Sequence, residues 1–448
     1  MTHPTPPTSD ATGRLSAAWR RHGRIVLTLT DQGLVSVASF ATNFLLLHHF
    51  RNDPSHFASY TLAFNLMIWA AEFQATLVFT PHTIRSPRLS GDALRRFHGS
   101  TLLQSVAVSL ITAVMLLSAA VWTGNAKPEM SGVLLVLGLG TLVIGLRNYA
   151  RPYSFTAKRP LTAVLLDLSV AVLQIGGVLL LKYFGVLQAW NAVAVVAGAS
   201  AVPAVVWLWI TRQQFRPSPR QAVRDLCEAW PQTKWVFLSG VTWSAGMLLY
   251  PWLLSGLCDD RAVATWGACY TLACVANPLL MGLQNFIGPR VAEAVTELRR
   301  TLFRAYVYRI ALGTAAMMAL PAVVLSIWAD TALSWLTRGA YTGQHVTITL
   351  LCAALVVQAI TFTLSRGLFA LHRADLDLYC NSLPLLTLFT VGIAAVRQHG
   401  VTGAAASLLI AQILSAGSRA VLFARAVRDT PPPSHEFDTL LSPAKAAV

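Results

Sequence analysis

From residue 26 almost to its end the chain alternates between apolar runs of about 20 residues and short polar stretches rich in arginine. A run of that length is what an α-helix needs to cross about 30 Å of hydrocarbon. Twelve spans are expected on this pattern: 26–48, 57–80, 101–122, 131–149, 161–181, 190–210, 236–257, 263–288, 305–328, 346–366, 376–396 and 402–423. The strict alternation that would build a membrane barrel does not occur. The fold class expected is an all-α polytopic membrane protein of about 12 transmembrane helices.

The first two spans form a hairpin around which the rest is arranged. Tyr60-Thr61-Leu62-Ala63, near the start of the second, recurs letter for letter at Tyr270-Thr271-Leu272-Ala273. In both places a helix follows and closes on a proline, Pro81 and Pro289. The offset near 210 residues predicts an internal duplication: two six-helix halves related by a parallel pseudo-two-fold, with any substrate path at their seam. The expected division is a disordered basic leader at 1–23, a first half at 24–212, a cytoplasmic linker at 213–235, a second half at 236–424 and a disordered tail at 425–448. Around 221–230 the linker has the composition of a short interfacial helix.

Charge then fixes the orientation. Only 12% of residues are charged and 55% are hydrophobic, yet 34 Lys and Arg against 19 Asp and Glu leave a net charge of +15. With the N-terminus inside, all the basic residues fall in cytoplasmic segments or helix ends except Arg51, Lys127, Lys182, Arg261, Arg338 and Arg397. The positive-inside rule accounts for that asymmetry and places both termini in the cytoplasm. The basic balance is therefore a topology signal, with attraction to anionic membrane lipid second to it, and nucleic acid is not an expected partner. Six cysteines without C-x-x-C spacing read as small apolar fillers, and neither a metal site nor a cofactor is expected. No Walker-type loop and no large outer loop with paired acids is present, so an enzyme is not expected.

Polar residues inside the spans are the remaining signal. The first helix carries Asp31, Gln32, Ser36, Ser39, Thr42 and Asn43; the second carries Asn65, Glu72 and Gln74; the fifth carries Asp167 and Gln174. By helical rise Asp31 lies about 8 Å and Glu72 about 12 Å inside the cytoplasmic edge, deep enough for the two to meet. Acids at that depth are costly and mark ion or proton paths, or else they are capped by basic neighbours near the interface. Pro251 and Pro278 break the seventh and eighth spans, as gate hinges or as static bends.

Asp31-Gln32-Gly33 opening the first helix, Phe57-Ala58-Ser59-Tyr60 turning into the second, and Pro81 closing it resemble the multidrug/oligosaccharidyl-lipid/polysaccharide exporter superfamily. Within it the chain looks most like the polysaccharide and O-antigen flippases, although Arg51-Asn52-Asp53-Pro54 departs from that branch's usual Leu/Gly-rich turn. The resemblance implies a multi-pass protein of a bacterial inner membrane. It would flip a polyprenyl-diphosphate-linked oligosaccharide by alternating access, with polysaccharide assembly proteins as further partners. Arg147, Arg290 and Arg366, each at a cytoplasmic helix end, are the candidates for holding the diphosphate, their alternative being topology or snorkelling. Asp31, Glu72 and Asp167 are the candidates for coupling to H+ or Na+. Two other readings stay open: a cation-coupled small-molecule exporter of the same superfamily, and a membrane scaffold that transports nothing.

Overall fold

The computed structural model describes residues 10–429, with backbone alone at 10–26, 28, 29, 232, 285 and 286. Among these residues there is no strand; the secondary structure is helix throughout. Helix α1 (Asp10–His49) is followed by α2 (Pro54–Gln74), a π-helical turn Ala75–Phe79 and α3 (Thr80–Arg85). Then come α4 (Gly91–Thr123), α5 (Pro128–Thr156), α6 (Pro160–Tyr183) and α7 (Ala189–Thr211). The chain continues through α8 (Pro219–Leu248), α9 (Tyr250–Leu257), α10 (Asp260–Ala273), α11 (Asn277–Glu297) and α12 (Arg300–Ile327). It ends with α13 (Ala329–Thr337), α14 (His345–Ala370), α15 (Ala374–Thr387), a second π-helical turn Leu388–Gly392, and α16 (Ile393–Asp429).

Sequence chemistry explains where these helices begin and end. Pro54, Pro128 and Pro160 occupy first-turn positions after a loop, where the missing N–H has no partner to lose, whereas Pro81, Pro251 and Pro278 open helices that continue a preceding helical run. Gly400 has φ 54° and ψ −126°, a conformation closed to other residues, and divides α16 into two helices. Each of the twelve expected spans falls on a helical run, ending within a residue of it. Nine helical stretches among the described residues are long and apolar enough to cross a membrane. The count is ten if the pair bent by 42° at Leu249 is taken as one span. Their outer faces carry exposed Leu139, Val172, Trp209 and Leu320, which suits lipid rather than water.

Two features differ from the expected division. The linker is helical from Pro219 onward and runs without interruption into the seventh span, with Pro231 inside the helix. Residues 10–23, expected as leader, open α1, in keeping with the helix-forming Leu, Ala and Arg between 14 and 24. Residues 425–429 close α16; the rest of the leader and tail, 1–9 and 430–448, lies outside the described residues.

The contacts gather into two compact units. One reaches to Leu45 and resumes over Val78–Leu226; the other comprises Leu46–Leu77 and the chain from Cys227 on. In the first unit α5 packs between α4 and α7, around the fully buried Val133, Tyr149, Ala192 and Val193. In the second, α11, α12, α14 and α16 enclose Val291, Phe303, Val307, Leu364, Leu368 and Phe423. Helix α2 belongs here because it packs on α10, where Gly267 lies against Phe57 and Thr61. The two copies of the repeated tetrapeptide thus stand on a pair of helices in contact.

Candidate functional site

The first unit holds a buried charge cluster drawn from three helices. Asp31 of α1 and Asp167 of α6 are fully buried, and α5 supplies Arg147 and Arg151, one helical turn apart, to both. Arg151 donates from Nε to Asp31 Oδ2 at 3.0 Å, and its Nη2 donates to the same oxygen. Its Nε also stands 2.9 Å from Asp167 Oδ2, while Arg147 donates through Nη2 to Asp167 Oδ1. Two carboxylates and two guanidiniums cancel formally, but the hydrogen bonding is incomplete. Among the described residues Asp31 Oδ1 and Arg147 Nε are buried without a hydrogen-bond partner, and Asp167 Oδ2 has the Arg151 ion pair but no hydrogen bond. A buried acid pair with an open acceptor oxygen is a site where a small cation would be stabilised. One further step along the same helices, Gln174 Nε2 donates to Thr42 Oγ1 at 2.8 Å, extending the polar seam between α1 and α6.

Pro152 follows Arg151 within α5 and removes the backbone donor that would have met the carbonyl of Asn148. Below it lies a packed group of rings: His82, His98, Tyr149, Tyr153, Trp207 and Phe215. Tyr149 OH donates to the carbonyl of His98 at 3.1 Å, so this group is tied to α4 and fixes the end of α5 that carries the arginines.

Glu72 stands in the second unit, apart from that cluster. It is half-buried, forms no ion pair among the described residues, and lies over Gly240 of α8. A Cβ at position 240 would stand 2.7 Å from Glu72 Oε1 and 2.7 Å from Thr76 Cγ2. The π-helical turn begins three residues after Glu72, and Thr76 Oγ1 donates back to the Glu72 carbonyl at 2.8 Å. Such turns often accompany functional sites, because the wider coil re-aims neighbouring side chains.

Arg290 of α11 and Arg366 of α14 are exposed and have no carboxylate within ion-pair distance among the described residues. Arg366 lies beside Gly288, two residues before Arg290. Gln284 on α11 is buried with both amide atoms unpartnered among the described residues. Pro251 sits just beyond the break at Leu249, and Pro278 just beyond a 3₁₀ turn at Cys274–Ala276.

A second buried charge pair, not among the candidate site residues read from the sequence, lies in the second unit. Asp377 accepts from Arg419 Nε at 2.9 Å and from Ser239 Oγ at 2.7 Å. Arg419 also donates to Asn381 Oδ1 at 2.6 Å and Ser415 Oγ at 2.9 Å, and Asn381 Nδ2 donates to Ser239 Oγ at 2.9 Å. Both charged side chains are 3% exposed. The signal available in the sequence was the Asp377/Asn381 pair one turn apart and an arginine inside the last span. Arg151 was likewise legible only as a second arginine one turn from Arg147.

The structure therefore brings Asp31, Asp167 and Arg147 together through Arg151. Neither Arg290 nor Arg366 takes part in that cluster.

No protein-family profile matches this chain, and no curated protein sequence does. Solved structures do. The chain is similar to an inward-facing multidrug-resistance MATE transporter of the MOP superfamily, with TM-score 0.71 at 14% identity, covering 91% of this chain and 99% of that one. It is similar to a mutant of a Vibrio cholerae MATE transporter, with TM-score 0.61 at 13% identity, over 91% and 97% of the two chains. A MOP-superfamily transporter from Pyrococcus furiosus, for which a reversed pocket polarity is taken to suggest a different function, matches with TM-score 0.61 at 12% identity over 90% and 99%. The fold is that of these transporters.

Proposed function

We propose that the chain is an alternating-access transporter of a bacterial inner membrane, with both termini cytoplasmic. In this reading it moves a polyprenyl-diphosphate-linked oligosaccharide from the inner to the outer leaflet for surface polysaccharide assembly. The observation that carries the reading is how its arginines are paired. Arg147 and Arg151 are taken up by Asp31 and Asp167, whereas Arg290 and Arg366 are exposed and unpaired among the described residues. A diphosphate entering an apolar bundle needs cations, and the planar guanidinium fork matches phosphate oxygens while remaining charged. The diphosphate role thus narrows to Arg290 and Arg366, and Arg147 holds the acid pair in place. Asp31 and Asp167 form the site for H+ or Na+, whose binding competes with the arginines for the two carboxylates. The two six-helix halves rock about their seam, and the breaks beside Pro251 and Pro278 absorb the bending.

Flipping of a short-chain polyprenyl-diphosphate oligosaccharide in proteoliposomes tests this. Arg290→Gln with Arg366→Gln should lower the rate at least tenfold while the variant remains monodisperse. An unchanged rate would sink the diphosphate assignment.

A second reading, a cation-coupled small-molecule exporter, is favoured by Glu72, whose half-buried unpaired carboxylate suits a cationic substrate. It predicts the reverse pattern: Glu72→Gln abolishes export of a lipophilic cation and the arginine changes are silent. A scaffold would leave both assays unmoved while changes within 211–235 release its partners.

A further inference from the structure

At the end of the second unit where α12 begins and α16 ends lies a cavity of about 450 Å³. Four arginines line it: Arg300 and Arg304, one turn apart on α12, and Arg425 and Arg428, at i, i+3 on α16. All four are exposed. We infer that this cavity binds the phosphate headgroup of an anionic phospholipid of the surrounding leaflet.

The walls are preformed. Tyr308 OH donates to the carbonyl of Ala420 at 2.8 Å, and Phe423 packs edge-on against Phe303 and Tyr308. These contacts lock α12 to α16 one to two turns from the arginines, so the four cations are held together before any ligand arrives. Arg300 Nη1 donates to the carbonyl of Arg428 at 3.2 Å, which ties the mouth of the cavity across both helices. The only carboxylate paired with the group among the described residues is Asp429, 3.3 Å from Arg428 Nε. Arg304 and Arg425 have no ion pair there. Four like charges converging on one cavity repel one another unless an anion sits between them. The ligand they fit is polyanionic, or singly anionic with several acceptor oxygens, as a phosphate is.

The rest of the lining distinguishes a lipid from a dissolved ion. Val421, Ala424 and Val427 add apolar surface beside Thr301, so the cavity combines a cationic lining with an apolar side. That combination matches the junction of a phosphate headgroup with its acyl chains, and basic pockets between helices at a membrane surface are of the kind that hold such headgroups. Arg290, Arg366, Asp31 and Asp167 do not line this cavity, so the proposal does not rest on the transport reading.

The test uses the full chain purified in mixed micelles with phosphatidylcholine, then titrated with phosphatidylglycerol. Inorganic phosphate and pyrophosphate are titrated in parallel. Phosphatidylglycerol should raise the Tm of the wild type, and Arg304→Gln with Arg425→Gln should weaken the half-saturating concentration at least tenfold without changing Tm in phosphatidylcholine alone. Raising the salt should weaken the wild-type response in the same direction. Equal stabilisation of wild type and variant overturns the site. A shift produced equally by pyrophosphate, and lost in the variant, overturns the lipid in favour of a soluble anion. If the double variant is not monodisperse, Arg304→Gln alone is read in the same way, since its side chain is exposed and pairs with nothing else described.

Discussion

Arg419 is the residue whose removal has the most calculable consequence. Arg419→Met keeps the length and apolar body of the side chain but deletes donors to Asp377 at 2.9 Å, Asn381 at 2.6 Å and Ser415 at 2.9 Å. Asp377 would keep Ser239 and Asn381 as neutral donors, so its charge is solvated but no longer balanced. With both side chains only 3% exposed, water cannot replace the guanidinium. Breaking one side of a buried pair costs about 3–5 kcal/mol. For a chain of this size that is a fall in Tm of about 3–6 °C. The assay is thermal stability of the detergent-purified protein, followed by size-exclusion fluorescence after heating. The companion variant, Arg419→Met with Asp377→Leu, removes both charges and should recover at least half of the loss, short of all because Ser239 and Asn381 lose an acceptor. A single variant within about 2 °C of wild type would refute the reasoning, because it would mean that the buried carboxylate does not depend on the guanidinium. A double variant worse than the single would show that the pair does not act as a unit.

Two more outcomes follow from the same chemistry. Arg151→Gln leaves Asp31 and Asp167 adjacent with Arg147 as their only cation, so stability should fall by about 3 kcal/mol, and adding Asp31→Asn should restore most of it in the same heating assay. Gly240→Ala places a methyl 2.7 Å from both Glu72 Oε1 and Thr76 Cγ2; the glutamate can swing aside but the β-branched threonine cannot. A loss of about 1–3 kcal/mol is expected, and Thr76→Ser, which deletes Cγ2, should rescue it while Glu72→Ala should not.

The spans were legible because their length is set by the thickness of hydrocarbon, a constraint that needs no knowledge of packing. Asp31, Asp167 and Glu72 were legible as acids in apolar runs, but their partners were not. The sequence placed Asp31 within reach of Glu72 by depth alone; the structure joins Asp31 to Arg151 and Asp167, and sets Glu72 against Gly240. Depth gives one coordinate, whereas pairing depends on helix rotation and neighbour choice. Arg151 read as a topology residue because an arginine at a helix end serves that purpose without any partner. Asp377, one residue inside the expected eleventh span, was not singled out. The π-helical turn at Ala75–Phe79 had no recognisable pattern, although Pro81, which cannot donate to the Leu77 carbonyl, bears on the backbone bonding there. Helix α13, within the longest expected outer loop, is short enough that its composition passed for a turn.

The repeat read from Tyr60 and Tyr270 reaches further than those four letters. Asp167 and Asp377 stand the same 210 positions apart, and each is buried against a basic residue inside its own unit. What differs is the surrounding chemistry. Asp167 takes its cations from α5, the helix before it, and shares them with a second acid on α1. Asp377 takes its cation from α16, the helix after it, and meets Ser239 on α8, 208 positions beyond Asp31, where the first unit has a carboxylate. Exchanging an acid for a hydroxyl removes the charge that made the first cluster a contest between two carboxylates for two guanidiniums. The second network has both carboxylate oxygens hydrogen-bonded; the first leaves Asp31 Oδ1 without a hydrogen-bond partner among the described residues. An open acceptor oxygen on a buried acid offers a place to an arriving cation, which the second network does not. On the transport reading, ion coupling is therefore assigned to the first unit, and the Asp377 network to holding α8, α15 and α16 together.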